Sequence, residues 1–223
     1  GSQKSICLDD TDARRNLFHS FLYANDRDSH DVSLVFDGRV ILGTRARKER
    51  SKSFNAFSSV DYPEVAIIRD ERLIRYLAPR AYPYGAEPVF YDRLEDRVLL
   101  LTLIPGMGAE GLRLLKDSYQ AVILQSFGVG GLPGGSGGPL ARAIGEWLEA
   151  GKTIVMMTQV PYEGSDMSLY QVGQQVKEKY QLMEAYNMTL EATAAKLMWV
   201  LGQTSRPEEI RSLFYRPVQH DLI

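Results

Sequence analysis

A short basic run is the first place where side chains of one type are concentrated enough to do chemistry. Residues 43–57 read GTRARKERSKSFNAF, and five of these fifteen residues are basic, with Glu49 as the only acid. The five are Arg45, Arg47, Lys48, Arg50 and Lys52. Three interpretations stay open: a patch that grips phosphates, a solvated strand end whose arginines pair with nearby acids, or a strand end that delivers one desolvated lysine as a base.

A glycine-rich loop is a second candidate, because it follows a predicted buried strand. Ser126–Gly138 reads SFGVGGLPGGSGG and holds seven glycines before a predicted helix. Glycine lets the backbone approach a ligand closely, and a helix N-terminus favours an anion or a carbonyl oxygen. The loop lacks the Gly-Lys-Ser/Thr ending of a Walker A sequence and is not a clean GxGxxG, so a flexible turn is the alternative.

A third candidate is the loop Gln159–Asp166, which follows the next predicted strand. It reads QVPYEGSD and carries hydrogen-bond donors, acceptors and charge. Ligands of open α/β sheets sit outside the carboxyl ends of the strands, which is where both loops would lie. The alternative for this loop is a solvated connection between two elements.

The elements that would position the basic run are a helix and a hairpin. Residues 12–26 predict an amphipathic helix, with Asp12 as its N-cap. The dipeptide Asp37-Gly38 lies between two β-rich runs and predicts a hairpin, whose second strand leads into the basic run. The predicted apolar face of the helix consists of Leu17, Phe21 and Ala24, with Phe18 and Leu22 beside them.

The second half of the chain alternates strands and helices. An unbroken apolar run such as Val98–Ile104 is expected for a strand covered on both faces. This alternation predicts βαβ units and a parallel sheet, that is, an α/β fold. The other predicted strands are Ala121–Phe127 and Thr153–Thr158, and the predicted helices lie at Gly108–Lys116, Gly138–Ala150, Leu169–Lys179, Leu190–Leu201 and from Ser205 onwards.

Composition argues against several classes of protein. The net charge is −2, so the basic run is local and the molecule has no strongly positive field for a polyanion. Cys7 is the only cysteine, so no disulfide forms within the chain, which fits a reducing compartment. The three histidines lack a metal-ligand spacing, and no apolar run approaches the length of a membrane span. We therefore expect a cytoplasmic protein with no metal or other cofactor and with no nucleic-acid or membrane partner.

Several longer segments, in their order and spacing, resemble the bacterial-type L-asparaginases, most closely the cytoplasmic type I branch. The resemblance runs along nearly the whole chain. It implies an α/β fold that combines the second half of the N-terminal asparaginase domain, residues 1–58, with a parallel-sheet C-terminal domain, residues 86–223. Residues 59–85 are expected to form a linker, with a short extended piece at Val65–Ile68. The segments are GSQ at the start, DDTDARRNLFHSFLYA, FDGRVILGTRARKERSKSFNAFSS, IPGM, QSFGVGGLP, TQVPYEGSDMSLYQVGQ and MTLEATAAKLMWVLGQT.

The resemblance implies a reaction, the hydrolysis of L-asparagine to L-aspartate and ammonia. In this family a threonine attacks the side-chain amide carbon, and water then hydrolyses the acyl-enzyme. A second threonine, an aspartate and a lysine handle the protons. Lys48 falls in the place of that lysine, and we expect it to be buried at a strand terminus. Family active sites lie at subunit interfaces, which implies a homo-oligomer, either a dimer or a tetramer.

Further site residues also follow from the resemblance alone. The loop from Tyr162 to Tyr170 is expected to bring polar groups to the active site of a neighbouring subunit. The type I branch also has a regulatory asparagine site between subunits. The predicted substrate-binding residues are Gln3, Tyr162, Glu163 and Ser168, and the predicted regulatory loop comprises Ser126, Gly128 and Gly130.

One departure from the family pattern is large. The TGGTI-type and HGTDT-type segments, which carry the catalytic threonines and the aspartate in the family, have no counterpart in this sequence, and Thr11 at a helix start is a poor substitute. We therefore expect the chain alone to be inactive. The missing segment belongs to a separate chain, is lost by truncation or disorder, or is absent from a natural fragment. Two other functions stay open: a non-catalytic, dimerising asparagine-binding module, and the glutamine amidase subunit of a tRNA-dependent amidotransferase.

Overall fold

The protein forms two compact units. The structure, a computed structural model, describes residues 1–78, 87, 89–169, 174, 177, 178 and 180–223. One unit comprises Gly1–Phe90 with Val218–Asp221, and the other comprises Tyr91–Pro217 with Leu222–Ile223. Most of the helix predicted over Leu169–Lys179, together with Tyr170, lies outside the described residues.

The first unit begins with a short irregular segment that leads into helix α1, Ala13–Ala24. Asp12 occupies the N-cap position, as predicted, but its side chain makes no capping hydrogen bond. The hydroxyl of Thr11 accepts the N–H of Ala13 at 3.0 Å instead. The Asp12 carboxylate is thereby free to bind the chain that precedes the helix.

The predicted hairpin is confirmed. Strands β1, Ser33–Phe36, and β2, Arg39–Leu42, pair antiparallel. Asp37 and Gly38 between them have φ values of 51° and 73°, the left-handed conformation that both central residues of a type I′ turn adopt.

Four further strands complete the first unit. Strands β3, Ala46–Lys48, and β4, Phe57–Ser59, form a two-stranded antiparallel sheet that ends the basic run. Strands β5, Ala66–Arg69, and β6, Arg72–Arg75, extend the hairpin into an antiparallel sheet of order β1-β2-β5-β6. The segment predicted as a linker thus contributes two strands, because its apolar residues bury themselves against β2.

Most of the predicted apolar face of α1 is wrong, although Leu22 beside it packs against the core of the unit. Leu17 and Phe21 are 50% and 66% exposed, whereas Asn16 and Tyr23 are buried. The side-chain oxygen of Asn16 accepts the N–H of Asp37 in the hairpin turn at 3.0 Å, and its side-chain nitrogen donates to Asp12 at 3.0 Å. Both ends of this buried amide are therefore hydrogen-bonded. Hydrogen-bond partners that are remote in sequence, rather than apolar periodicity, decide which face of this helix is covered.

The second unit is built on a parallel sheet, as predicted, of order β10-β9-β8-β7. Its strands are β7, Val98–Thr102, β8, Ala121–Ser126, β9, Thr153–Thr158, and β10, Met183–Glu184. Its helices are α2, Glu110–Leu115, α3, Pro139–Glu149, α4, Leu190–Gln203, and α5, Pro207–Tyr215. The unit therefore has the mixed α/β architecture that alternating strands and helices predict.

Alternate residues of β8 and β9 pack into two separate cores, one on each face of the sheet. Val122 and Ile154 belong to a core with Trp147 of α3, and Ile123 and Val155 belong to a core with helices α4 and α5. The two central strands are therefore apolar on both faces, and their carboxyl ends open into the two loops singled out in the sequence.

Strand β7 differs from its prediction as a strand covered on both faces. It lies at the edge of the sheet, and Leu100 is 44% exposed. An edge strand has a neighbour on one side only, so fewer elements are available to cover it. An unbroken apolar run cannot by itself distinguish a central strand from an edge strand.

Candidate functional site

The predicted catalytic lysine lies at the end of a strand and is held by a glutamine. Lys48 ends β3, and its Nζ donates to Oε1 of Gln3 at 2.8 Å. The same ammonium lies 5.7 Å from the centroid of the Phe57 ring, on the opposite strand. The Gln3 amide nitrogen donates to the carbonyls of Arg50 and Ser53, at 3.2 and 2.9 Å. One side chain thus connects the amino-terminal segment to the lysine and to the loop that follows it.

The expectation that Lys48 is buried is wrong, since its side chain is exposed. Within the part of the chain that the structure describes, its hydrogen bond goes to an amide, and the hydroxyl and carboxylate partners implied by the family are not among its contacts. This arrangement presents the amine at a surface rather than in a closed cleft.

The segment that carries Gln3 is fixed by Asp12. Both oxygens of the carboxylate accept the Gln3 N–H, at 3.0 and 2.9 Å, and one of them also accepts the Lys4 N–H at 3.0 Å. The side-chain amide of Asn16 donates to the same group at 3.0 Å. Burial alone would raise the pKa of Asp12, but these hydrogen bonds together lower it below its ordinary value. Sequence reasoning assigned Asp12 only a capping role and missed this one.

The arginines of the basic run point in different directions. Arg45 is fully buried, donates its Nε to the carbonyl of His220, and lies 5.8 Å from the ring centroid of Tyr62. Arg50 donates to the carbonyl of Asn55 at 2.9 Å. A buried arginine inside a basic run has no signature in composition, and only the fold shows that it belongs to the interior.

The glycine-rich loop of the second unit begins with a buried serine. Ser126 is fully buried, and its hydroxyl donates to the carbonyl of Met157 at 2.9 Å. Gly128 and Gly130 are left-handed, with φ of 48° and 137°. Open space lies where a Cβ on Gly128 would stand.

The two loops at the carboxyl ends of β8 and β9 are joined to each other. The N–H of Asp166 donates to the carbonyl of Val129 at 3.0 Å. A Cβ on Gly130 would come 2.5 Å from Cγ of Met167, so glycine is needed for this approach. The two segments are therefore in direct contact at this edge of the sheet.

The base of the second loop rests on a buried carboxylate that is paired with a half-buried lysine, a contact that sequence reasoning missed. Glu184 is fully buried, accepts the N–H of Met167 at 2.8 Å, and lies 2.5 Å from Nζ of Lys177. Burial alone would lower the pKa of Lys177, but the hydrogen bond and the charge of Glu184 raise it above its ordinary value. The sequence did contain a signal for this buried carboxylate, because the glutamate interrupts the mostly apolar stretch QLMEAYNM.

The predicted substrate-binding residues of this loop lie at its exposed part. Tyr162, Glu163 and Ser168 are all exposed, and Glu163 has a left-handed φ of 72°. Ser168 donates its hydroxyl and its N–H to Asp166, at 2.5 and 2.9 Å, and these hydrogen bonds lower the pKa of that carboxyl. Ser165 is buried, and its hydroxyl has no partner among the described residues.

Neither a metal centre nor a membrane span emerges from the part of the chain that the structure describes. No three histidine, cysteine, aspartate or glutamate side chains in it are grouped closely enough to hold a metal ion. No helix in it combines the length and the apolar character that crossing a bilayer requires.

Comparison with known proteins relates both units to one family. Residues 1–81 match the family model described as "Asparaginase, N-terminal", and residues 97–214 match "Glutaminase/Asparaginase C-terminal domain". The chain is 35% identical to an L-asparaginase of Thermococcus kodakarensis over 100% of its own length and 66% of that protein. It is 28% identical to a glutamyl-tRNA(Gln) amidotransferase polypeptide of Pyrococcus abyssi, over 96% of its own length and 49% of that polypeptide.

A solved structure shows the same fold. The thermostable L-asparaginase from T. kodakarensis superposes with a TM-score of 0.91 at 33% identity, covering 100% of this chain and 66% of the other. The chain thus spans just under two thirds of the asparaginase that it matches, and about half of the amidotransferase polypeptide.

Proposed function

Because this chain belongs to the asparaginase family, we propose that it takes part in hydrolysing L-asparagine to L-aspartate and ammonia, with Lys48 in proton transfer. The observation that carries the proposal is the placement of Lys48, at a strand end and oriented by an amide, in a chain whose two units match both family domains. An amide nitrogen must gain a proton before it leaves as ammonia, and a positioned ammonium can supply that proton.

The nucleophile of this reaction comes from outside the residues described. The family resemblance implies a threonine that loses its hydroxyl proton to the proton-transfer groups as its oxygen bonds to the amide carbon, while the carbon–nitrogen bond breaks and the nitrogen leaves as ammonia. Water then cleaves the resulting ester, giving a proton back to the threonine oxygen and its hydroxyl to the aspartate. The sequence holds no threonine in a TGGT or GTDT context, so the proposal requires a family-type amino-terminal segment, in the same polypeptide or in a second one.

The decisive experiment is an ammonia-release assay on protein that contains such a segment. We expect the completed wild-type protein to hydrolyse asparagine, and Lys48→Met to lower kcat by about 100-fold or more, the usual contribution of a proton-transfer group. Lys52→Met removes another cation of the same run and serves as the matched control. A completed protein that releases ammonia from neither asparagine nor glutamine overturns the proposal.

We also propose a homo-oligomer in which the exposed part of the loop Gln159–Asp166 faces the active site of a neighbouring subunit. The support is its geometry: Tyr162 and Glu163 are exposed, while the base of the loop is fixed by buried contacts. If sites are shared, mixing inactive Lys48→Met and Glu163→Gln dimers restores about a quarter of the wild-type activity, because half of the random dimers carry one intact site of two. Mixing without recovery contradicts shared sites.

One other function has specific support. The match to an amidotransferase polypeptide favours a glutamine amidase, which would show a higher kcat/KM for glutamine than for asparagine. We also propose a cytoplasmic location, and the exposed, free Cys7 is compatible with a reducing compartment.

A further inference from the structure

The side-chain amide of Gln3 is occupied at both ends by groups of the same unit. Its oxygen accepts from Nζ of Lys48 at 2.8 Å, and its nitrogen donates to the carbonyls of Arg50 and Ser53. The chemistry of the partners fixes the orientation of this amide. The opposite orientation would set an NH₂ group against an ammonium and an oxygen against two carbonyls, which leaves no favourable contact.

The backbone of Gln3 is held as firmly as its side chain. Its N–H donates to both oxygens of Asp12, which is itself the N-cap residue of α1. The position of the amide is therefore set by a helix and not by a flexible end of the chain. A lysine side chain has four rotatable bonds, so an exposed amine adopts many positions unless such an acceptor fixes it.

We propose that Gln3 is a positioning residue, which aims the amine of Lys48 in the proposed reaction and does not itself bind substrate. The inference rests on the proposed function, and it revises the expectation that Gln3 contacts substrate. A neutral amide suits this role because its oxygen accepts a hydrogen bond from both the ammonium and the amine. A carboxylate in its place would favour the ammonium and so oppose the proton transfer.

The kinetic test uses Gln3→Met in the completed protein, since methionine keeps the length of the side chain and removes all three hydrogen bonds. We expect kcat for asparagine to fall about 10- to 100-fold, the scale of a misplaced catalytic group, with KM changed less than about twofold. A rise in KM with kcat unchanged would show direct substrate binding and overturn the proposal.

A double-mutant cycle separates positioning from a general loss of structure. If Gln3 acts through Lys48, then Gln3→Met has no further effect on kcat in a Lys48→Met background. Additive losses would indicate a merely structural role and contradict the proposal. The matched control is Gln203→Met, because Gln203 also donates two side-chain hydrogen bonds to carbonyls, those of Arg93 and Trp199, far from the lysine in sequence. We expect this control to leave kcat unchanged.

A second readout needs no catalysis and uses the 223-residue chain itself. In protein labelled with ¹³C at lysine Cε, the signal of Lys48 is identified by its loss in Lys48→Met. We expect Gln3→Met to move this signal to the position of freely rotating lysines, and Gln203→Met to leave it in place. An unchanged Lys48 signal in Gln3→Met overturns the positioning role, whereas an inactive completed wild type with the expected shift contradicts only the proposed function.

Discussion

Replacing Asp12 by alanine tests whether one carboxylate holds the amino-terminal segment on the first unit. The carboxylate accepts hydrogen bonds from the N–H of Gln3, the N–H of Lys4 and the side chain of Asn16, at 2.9 to 3.0 Å. A hydrogen bond to a charged group contributes about 1.5–3 kcal/mol net, so the three donors set an upper bound of roughly 9 kcal/mol.

The expected loss is smaller, because part of the released segment is rehydrated. Gln3 and Lys4 are only half-buried, so water replaces the carboxylate at their N–H groups, at a net cost of about 0.5–1 kcal/mol each. Asn16 is 2% exposed, and its other acceptor, the Gly1 carbonyl, lies in the same segment. Leaving that amide unpaired adds about 1–3 kcal/mol, so we expect about 3 kcal/mol for Asp12→Ala. Asp12→Asn keeps one acceptor oxygen, and we expect about 2 kcal/mol.

Urea unfolding followed by circular dichroism measures the loss, and hydrogen exchange of the first residues locates it. The matched control is Asp10→Asn, because the Asp10 side chain is 79% exposed in its ion pair with Lys4, and such pairs contribute under about 1 kcal/mol. Equal unfolding midpoints for Asp12→Ala and Asp10→Asn would refute the reasoning. Asp12→Ala should also move the NMR signal of Lys48 as Gln3→Met does, because it releases the segment that carries Gln3.

The dependence of the free energy of unfolding on pH in acid provides an independent check on the role of Asp12. Its pKa in the folded protein is lowered from the ordinary value of 3.8, so its stabilising contribution is complete above that value and is lost as pH falls through the folded pKa. We therefore expect the free energy of unfolding of the wild type to exceed that of Asp12→Asn by a constant amount between about pH 5 and 8, and the difference to vanish well below pH 3.8. A difference that persists in acid would show that the charge of Asp12 is not its source.

Three further predictions concern the second unit and are measured by urea unfolding. Trp147→Phe should cost about 2 kcal/mol, since the buried indole donates to a carbonyl of α2 at 2.8 Å, and a loss below about 0.5 kcal/mol would contradict this contact. Gly130→Ala should lower the free energy of unfolding by about 2 kcal/mol, because the residue has a left-handed φ and an added Cβ would meet the loop that packs against it. The matched control is Gly137→Ala, which has open space at its Cβ and should change the free energy of unfolding by less than about 0.5 kcal/mol. Lys177→Met should cost about 3 kcal/mol by stranding the buried carboxylate of Glu184. Because the pKa of Lys177 is raised above 10.5, that difference should be complete below pH 10.5 and shrink above it.

The elements that sequence reasoning located best are those with local signals. The turn at Asp37-Gly38 needs two residues that tolerate a left-handed φ, and this requirement is written in the dipeptide itself. The strands Ala121–Ser126 and Thr153–Thr158 are apolar on both faces, so their runs of apolar residues could be read directly. In such places a few neighbouring residues determine the secondary structure.

The misplaced features depend on partners remote in sequence. Leu17 and Phe21 were expected to be buried, but the buried face of α1 carries Asn16 instead. The reason is that an N–H in a turn 21 residues away donates a hydrogen bond to the Asn16 side chain. The identity of Lys48 followed from a family resemblance, yet neither its exposure nor its hydrogen bond to a residue 45 positions away has a local signature. Candidate site residues were thus predictable by type, whereas the residues that hold them in place were not.

The basic run contains cations in different environments, and this difference bears on its three interpretations. Arg45 is fully buried on the carbonyl of His220, Arg50 donates to a carbonyl of its own loop, and Lys48 donates to an amide. A phosphate-binding patch needs several cations that face solvent together, and of these three Lys48 and Arg50 are exposed whereas Arg45 is not. The buried arginine therefore shows that the run is not one uniform patch of exposed cations. The run forms one strand of a short two-stranded sheet, and Lys48 lies at the end of that strand. The proposed amide hydrolysis requires this one amine from the segment.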